Sequence, residues 1–294
     1  MDGNTEGVSG SVRPGCRRGC KPGDETDGAG RFSPGMIIVL AGTRDAADLV
    51  HRITAQSLPV LVSTATGHGA APYREQGIPV RSGRLDRDGL AELLWRREAR
   101  LLVDATHPHA AEAHREAADA AEKAGIPCVR FERPPLIPDS SPRLYWVNHA
   151  REAAEKAAAL KGTVLLTTGS KQLDIFAKRL LPEKGVRLVV RLLPTVDNLR
   201  RCRSLGIDPS DVIALQGPFG ASLNRAFYDH FAVDVLITKE SGGLPWVEEK
   251  VNSALNRGIR VVIIRRPAPV KGVPCSFDPE EVVRLAWEAS GGSR

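Results

Sequence analysis

Short polar loops that follow apolar strands carry most of the residues in this chain that could do chemistry. The first reads LAGTRDA over residues 40–46, where Gly42 allows a tight turn, Thr43 can cap the following helix, and Arg44 adds a cation. The free amides at a helix start attract phosphate, whereas the acid Asp45 would repel it. The loop has one glycine where the dinucleotide fingerprint has three, so it predicts either a nucleotide-binding loop or an ordinary capped turn.

The second loop of this kind reads VLVSTATGHGA over residues 60–70 and is rich in hydroxyl groups. In a dinucleotide-binding domain an acid near this position holds the ribose hydroxyls of NAD, whereas Ser63, Thr64 and Thr66 occupy the region here. Hydroxyl groups tolerate a 2′-phosphate that a carboxylate would repel. The loop therefore favours NADPH over NADH, with an ordinary polar loop as the alternative.

Two lysines are placed where they could hold an anion. Lys171 ends TTGSK at 167–171 and Lys239 lies in TKESGG at 238–243, each beside Gly and Ser residues after an apolar strand. A lysine at the start of a helix is unfavourable with the helix dipole, and a bound anion reverses that balance. The pair favours carboxylate or phosphate binding over solvated surface lysines. A third helix-start loop is QGPF at 216–219.

A run of histidines beside an acid suggests a metal site, but the spacing argues against it. A helix is predicted near 108–124, with Pro108 suited to its first position. His109 and His114 would then be five residues apart on one helix, about 500° of rotation, and would point away from each other. We therefore expect no metal site among the polar residues of LLVDATHPHAAEAH, which are Asp104, His107, His109 and His114.

The composition sets the protein class. With 294 residues, 42% of them hydrophobic, the chain suits one large or two modest globular domains. No apolar run approaches the roughly 18 residues of a membrane span, and the first residues lack the apolar core of a signal peptide, so we expect a cytoplasmic protein. The net charge of +6 fits an anionic small molecule. We expect no nucleic-acid binding, because no element is a basic stripe with interleaved aromatic residues.

Residues 1–35 differ from the rest of the chain. They contain nine glycines, few apolar residues and no periodicity, so we expect a disordered extension. The only methionines are Met1 and Met36, and Met36 directly precedes the first strand, which makes it an alternative start. Cys16 and Cys20 lack the second ligand pair of a zinc site. We expect reduced thiols at the scattered cysteines, which are Cys128, Cys202 and Cys275.

From residue 36 onward, β-rich apolar runs alternate with helical patterns, as is typical of parallel βαβ units. The predicted strands are MIIVLA, PVLVS, IPVR, RLLVDA, CVRFE, TVLLTT, VRLVVR, DVIAL, DVLITK and RVVIIR. Helices are predicted near 45–56, 86–97, 108–124, 149–160, 171–181, 195–205, 221–231, 246–257 and 278–290. We predict an α/β fold of two doubly wound, Rossmann-like parallel-sheet domains with the active site between them. The domains are a cofactor-binding one at 36–133 and a substrate-binding one at 147–294, joined by a proline-rich linker at 134–146.

Eight stretches of the chain, taken in order, resemble the precorrin-6A reductase (cobalt-precorrin-6A reductase) family of cobalamin biosynthesis. The resemblance covers about residues 36–270. It rests on LAGTRDA at 40–46, VSTATGHG at 62–69, VDATHP at 103–108, RFERP at 130–134, TTGSK at 167–171, QGPF at 216–219, TKESGG at 238–243 and VIIRRP at 262–267. Two positions depart from the family pattern, since His68 and His109 stand where the family often has an aromatic residue.

The resemblance implies an NAD(P)H-dependent reduction of a carbon–carbon double bond in a corrin-precursor macrocycle. NADPH is the expected cofactor, with NADH as the alternative, and the anionic tetrapyrrole is the expected partner. The resemblance leaves the aerobic or the cobalt-containing substrate and the oligomeric state open. The residues expected to bind the cofactor are Gly42, Thr43, Arg44, Ser63, Thr64, Thr66, Gly67 and Asp104. Those expected to bind the substrate are Lys171, Gln216, Gly217, Lys239, Ser241 and Gly242.

A proton must accompany the hydride, because reduction of a double bond adds hydrogen to both carbons. Four side chains have suitable groups, with water as a further source: His107, Lys171, Tyr228 and Lys239. Two other functions remain open at this point. The chain could reduce a different anionic substrate, or it could be a tetrapyrrole-binding or nucleotide-binding regulatory module without turnover.

Overall fold

The strands and helices alternate along the chain as the sequence predicts. The computed structural model describes residues 35–136, 141–243 and 245–292, so the predicted extension, with Cys16 and Cys20, lies outside the described residues. The strands are β1 Met36–Ala41, β2 Val60–Thr64, β3 Val80–Ser82, β4 Ala99–Asp104, β5 Cys128–Phe131, β6 Leu144–Val147, β7 Gly162–Leu166, β8 Val186–Leu192, β9 Val212–Ala214, β10 Val235–Lys239, β11 Arg260–Ile264 and β12 Cys275–Ser276.

Ten α-helices of the described residues cover the faces of these strands. They are α1 Arg44–Ala55, α2 Gly67–Glu75, α3 Arg87–Arg96, α4 Ala111–Ala124, α5 Ala150–Leu160, α6 Leu173–Leu180, α7 Val196–Ser204, α8 Ala221–His230, α9 Pro245–Leu255 and α10 Pro279–Ala289. None of the helices in the described ranges is long and apolar enough to cross a membrane.

All ten strand pairings of the described chain are parallel, and they form two sheets of six strands. The first sheet has the order β12-β5-β4-β1-β2-β3 and the second β6-β11-β10-β7-β8-β9. Read from β3 and from β9, both follow the 3-2-1-4-5-6 order of a dinucleotide-binding domain. The predicted fold class, two Rossmann-like parallel sheets, is confirmed.

The sixth strand of each sheet stands apart from the run of five consecutive strands that forms the rest of that sheet. β6 follows β5 in sequence but pairs with β11 of the second sheet, and β12 follows β11 but pairs with β5 of the first. The helices that come next stay with the exchanged strands, since α5 packs on β11 while α10 packs on β4 and α1. Residues 35–294 accordingly form one compact unit.

This exchange differs from the predicted division of the chain at two places. Residues 144–147 overlap the predicted linker at 134–146 but form a strand, because the second sheet supplies its hydrogen-bond partners: Val261 N donates to Arg143 O and Arg265 N to Val147 O, each at 2.8 Å. Residues 275–289 belong to the first sheet and not to the second. The two residues of β12 are too few to show a periodicity.

Apolar residues on alternate positions of each strand explain why both faces of both sheets are buried. In β1, Ile37 and Val39 pack on the face covered by α1 and α10, whereas Ile38 and Leu40 pack on the face covered by α3 and α4. The second sheet is covered in the same way, by α5 and α6 on one face and by α8 and α9 on the other. This two-sided burial leaves the carboxyl ends of the strands and their loops as the accessible part of each sheet.

Two helices differ from the prediction near the functional loops. The helix α2 was not predicted, because Gly67, Gly69 and Pro72 all lower helix propensity; Thr66 caps it, its Oγ1 accepting from Gly69 N at 3.2 Å. The helix α4 begins at Ala111, three residues later than predicted, after a turn in which Ala110 N donates to His107 O. His109 therefore precedes the helix, and the prediction that it shares one helix with His114 is wrong.

Candidate active site

A cavity of about 870 Å³ lies where the carboxyl ends of the two sheets face each other. The loops after β1, β2, β3 and β4 form one wall. The other wall consists of the loops after β6, β7 and β11 together with the end of β10. The side chains and backbone that line it include Gly42, Ser63, Thr64, Arg84, His107, His109, Asn148, Lys171, Lys239 and Arg265.

The loop after β1 offers exposed backbone to the cavity. Gly42 has a φ of +154°, and the space that a Cβ would occupy there is open. Thr43 caps α1 as predicted, with its Oγ1 accepting from Ala46 N at 3.2 Å, so the helix points its free amides outward from this turn. Arg44 is exposed beside it. A phosphate fits such a glycine-and-cap turn.

The loop after β2 lies beside two arginines that the sequence analysis missed. Ser63 and Thr64 line the cavity, and Arg81 Nη1 donates to Ser63 Oγ at 2.9 Å. The exposed side chain of Arg84 lines the cavity one turn further on. The carboxylate of Asp86 also lies here, and it caps α3 by accepting from Gly89 N at 2.9 Å. The signal for these cations was their position, Arg81 within β3 and Arg84 just after it, on a short strand at the sheet edge.

His107 and His109 project from the loop after β4. His109 Nε2 lies 2.7 Å from the backbone oxygen of Glu240, a carbonyl that can only accept, so this nitrogen carries the proton. Burial, with His109 and nearby cations, lowers the pKa of His107 to about 3. Burial also lowers the pKa of His109 to about 4. Both imidazoles are therefore neutral at neutral pH.

A buried charge network holds this loop from below. Asp104 is 2% exposed; its Oδ2 lies 2.7 Å from His114 Nδ1 and its Oδ1 lies 2.9 Å from Arg130 Nη1. Thr106 donates to Asp104 Oδ1 through both its amide and its hydroxyl. Burial alone would raise the pKa of Asp104, but the hydrogen bond from His114 and the charge of Arg130 hold it below its ordinary value. The Asp104 carboxylate is thus used inside the protein and does not line the cavity.

The second wall brings the two predicted lysines together. Lys171 is exposed and Lys239 half-buried, and both line the cavity. Burial and the charge of Lys171 lower the pKa of Lys239. Two cations on one wall suit a ligand with several negative charges.

Glu240 connects the two walls. Glu240 is 4% exposed, and its carboxylate accepts from Leu136 N at 3.0 Å, from Gly242 N at 2.9 Å and from the guanidinium of Arg266. On the other side of the crossing chain, Arg133 pairs with Asp45 and donates to Ser241 O at 2.8 Å. A buried acid next to the lysine of TKESGG is not distinguishable in sequence from a surface acid, so Glu240 was missed.

The remaining predicted residues lie outside the cavity wall. The Tyr228 hydroxyl is buried and donates to Lys250 O at 2.8 Å, away from the cavity. Thr66 and Gly67 are exposed at the start of α2. Within the described ranges, no three His, Cys, Asp or Glu side chains are grouped as metal ligands. The predicted substrate residues Gln216, Gly217, Ser241 and Gly242 lie on the loops after β9 and β10.

A family model described as "Precorrin-6x reductase CbiJ/CobK" matches residues 36–286, which is most of the chain. The chain belongs to the precorrin-6x reductase family. The eight stretches that carried the resemblance now have a common location, because each spans or directly follows the carboxyl end of a strand, in order β1, β2, β4, β5, β7, β9, β10 and β11. The family pattern thus follows the edge of both sheets that faces the ligand in doubly wound folds.

Curated members of the precorrin-6x reductase family are similar over nearly their whole length. A cobalt-precorrin-6A reductase of Priestia megaterium is 38% identical over 250 residues, covering 85% of this chain and 98% of that protein. A precorrin-6A reductase of Rhodococcus erythropolis is 31% identical, covering 79% and 89%. A solved structure titled "CobK precorrin-6A reductase" has a TM-score of 0.71 at 23% identity and covers 88% of this chain and 99% of that one, which shows the shared fold.

Proposed function

We propose that this oxidoreductase reduces one carbon–carbon double bond of precorrin-6A or cobalt-precorrin-6A, to give the 6B form, with NAD(P)H as hydride donor. The observation that carries the proposal is the cavity of about 870 Å³ between two Rossmann-type sheets. One wall has the backbone and hydroxyl groups suited to a dinucleotide, and the other has lysines suited to a polycarboxylate. Members of the family with this fold are named for that reaction.

The cofactor belongs on the first sheet in this proposal. Strand order reverses between β1 and β4, and dinucleotides bind in the crevice at such a switch point. Gly42 and the start of α1 would hold the pyrophosphate. When bound, the dihydronicotinamide supplies the hydride; the side chains of the loops after β1 and β4 orient it toward the second sheet.

NADPH is the cofactor that the second loop favours. Ser63, Arg81 and Arg84 stand where an NAD-specific domain has its ribose-binding acid. Guanidinium groups bind a 2′-phosphate with charge-assisted hydrogen bonds. Among the acids that line the cavity, Asp86 has its carboxylate turned to the α3 amides.

The macrocycle belongs against the second sheet. Lys171 and Lys239 would bind its carboxylates, and the net charge of the chain favours the approach of a polyanion. The neutral faces of His107 and His109 lie opposite and would pack on the ring. The proposed cofactor site and the proposed macrocycle site therefore face each other across the cavity.

Lys239 is the side chain best suited to supply the proton. His107 and His109 are neutral and would have to give up a proton as imidazole, a poor acid, while the Tyr228 hydroxyl is buried elsewhere. The pKa of Lys239 is lowered by burial and by Lys171, which makes its ammonium a stronger acid than a surface lysine. Water in the cavity is the competing donor.

The deciding experiment is an anaerobic assay of the purified chain with precorrin-6A and with cobalt-precorrin-6A, each given NADPH and NADH in parallel. Loss of the reduced-cofactor absorbance, matched by a change in the macrocycle spectrum, would establish the reductase and its cofactor. Binding of the macrocycle without oxidation of either cofactor would overturn the proposal in favour of a binding module.

A further inference from the structure

Two cations, one buried and one half-buried, lie close together on the face of the second sheet that lies away from the cavity. Arg191, near the end of β8, is 9% exposed, and its Nη1 donates to Asn224 Oδ1 at 2.9 Å. Lys250, on α9, is half-buried, and its Nζ donates to Thr238 Oγ1 at 2.5 Å. We call these four residues the Arg191 cluster. Both partners of the cations are neutral.

No acid balances these charges within the described chain. Neither Arg191 nor Lys250 has a carboxylate oxygen within 4.0 Å among residues 35–136, 141–243 and 245–292, as the ion pairs of those ranges show. The acids on neighbouring elements are engaged elsewhere. Glu249 accepts from Ala221 N, Asp229 pairs with Arg257, and Glu240 pairs with Arg266.

Two like charges in a poorly solvated site cost free energy unless an anion joins them. The titration behaviour agrees, since burial and the charge of Arg191 lower the pKa of Lys250 to about 7. Burial likewise lowers the pKa of Arg191 to about 10. An anion placed between Arg191 and Lys250 would favour the charged form of both side chains.

The guanidinium of Arg191 is held in place by aromatic rings. Its Cζ lies 4.3 Å from the ring centroid of Phe219 and 5.8 Å from that of Phe227. Phe219 belongs to the QGPF loop, and a Cβ on Gly217 would lie 3.0 Å from its ring, so a larger residue at that position would displace the ring. Stacking fixes the guanidinium plane and uses none of its N–H donors.

Exposed apolar side chains lie near the carboxyl ends of β8 and β9, on the same sheet as the Arg191 cluster. Five residues in the loops after β8 and β9 and at the starts of α7 and α8 are 40–63% exposed: Leu193, Val196, Leu199, Leu215 and Leu223. Apolar residues concentrated in this way on a surface indicate a binding face. Apolar area beside buried cations suits a flat organic ring that carries carboxylates.

We propose that the Arg191 cluster binds a carboxylate of the tetrapyrrole, as an anchoring point separate from the lysines of the cavity. The assignment rests on the proposed function for the identity of the ligand. Thr238, whose hydroxyl meets Lys250, directly precedes Lys239, whose side chain lines the cavity. Adjacent residues of a strand point to opposite faces, so a macrocycle lying across the end of β10 would reach both sites.

Substitution of Lys250 tests this with opposite effects on stability and binding. In the full chain, Lys250→Met should raise the Tm of the free protein by about 2–4 °C, because a charge without an anionic partner is removed. The same variant should bind uroporphyrin I, a tetrapyrrole with eight carboxylates, about 10-fold more weakly. Lys178→Met, at an exposed position on α6, is the matched control and should change neither quantity.

Other outcomes would overturn the proposal. If Lys250→Met lowers the Tm and leaves uroporphyrin affinity unchanged, Lys250 is a packing residue. Inorganic phosphate is titrated in parallel, with chloride at equal ionic strength as the reference. If the Lys250 variants weaken the binding of phosphate but not that of uroporphyrin, the cluster binds free phosphate. Lys250→Gln keeps a donor for Thr238 without the charge; it should reproduce the loss of affinity, and it replaces the Met variant if that variant does not fold.

Failure of this proposal can be told apart from failure of the reductase assignment, because the binding measurements need no turnover. Lys250-dependent uroporphyrin binding without cofactor oxidation would keep the anchoring site and reject the reductase. If the Lys250→Gln variant has full reductase activity and an unchanged KM for the macrocycle, the reductase assignment stands and the anchoring site is rejected.

Discussion

His109 Nε2, on the loop after β4 of the first sheet, lies 2.7 Å from the backbone oxygen of Glu240, at the end of β10 of the second. This bond joins the two walls of the cavity directly.

Loss of that bond should loosen the cavity. His109→Phe keeps a planar ring but leaves Glu240 O without its donor, and we expect a loss of about 1 kcal/mol in the free energy of unfolding. We also expect a higher KM for both ligands, since the walls are no longer joined. His109→Gln, which can donate to the same oxygen, is the control. Equal behaviour of the two variants in urea denaturation would contradict the role of the bond.

The stability of the protein should rise with pH between about pH 4 and 6.5. The folded pKa values of His107 and His109, about 3 and about 4, lie below the ordinary 6.5, so the unfolded chain binds more protons in this window. Their contribution is complete above pH 6.5 and is lost as the pH falls toward the folded values. The double variant His107→Asn, His109→Gln should show a smaller slope of unfolding free energy against pH; an unchanged slope would assign the effect to other groups.

Cofactor preference should depend on Arg84. Arg84→Ala should raise the KM for NADPH about 10-fold or more while leaving that for NADH nearly unchanged, because a charge-assisted contact to the 2′-phosphate is worth roughly 1.5–3 kcal/mol. Arg97→Ala, an exposed arginine at the end of α3, is the control. Parallel losses with both cofactors would mean that Arg84 does not read the 2′-phosphate.

Lys239→Ala should raise the KM for the macrocycle more than the KM for the cofactor. If the Lys239 ammonium is also the proton donor, kcat falls as well, and Lys239→Arg does not restore it because the guanidinium is a much weaker acid. Lys171→Ala, at the exposed lysine of the same wall, should affect KM alone. If Lys239→Ala weakens cofactor binding alone, the assignment of the cofactor to the first sheet and of the macrocycle to the second would be reversed.

Asp104 should behave as a structural residue. Asp104→Ala leaves Arg130 buried without its partner, and we expect the free energy of unfolding to fall by about 3–5 kcal/mol. Asp88→Ala, whose ion pairs are exposed, should leave the free energy of unfolding nearly unchanged. If Asp104→Ala folds with normal stability but binds NADPH weakly, the carboxylate would contact the cofactor after all.

Sequence reasoning located the loops well because their signals are local. Apolar runs such as MIIVLA predict a buried strand, and Thr43 after Gly42 predicts a capped helix start, so the positions facing the cavity followed from chain order. Lys171 and Lys239 were found in the same way. Parallel sheets bring such loops to one edge whatever the details of packing.

The parts that were missed depend on contacts between distant segments. The strand at 144–147 forms because β11 supplies hydrogen bonds, and β12 is two residues long. Asp104 was expected to bind the cofactor, but its carboxylate pairs with Arg130 and His114 in the protein interior. From sequence alone, Glu240 and Arg266 resemble surface charges, and only the packing of the crossing segments around them makes them a buried ion pair. The hydrophobic periodicity of a sequence carries no information about pairings between segments that are distant in the chain.

The exchanged sixth strands bear on how the chain is made. During synthesis from the N-terminus, the first sheet has β5 as an unprotected edge until nearly the whole chain has been made, because β12 comes last. A gene cut between β6 and α5 would yield two fragments that each carry the other's closing strand. Neither fragment could complete its own sheet, so the pair would gain structure together or not at all, as two parts of a complementation system.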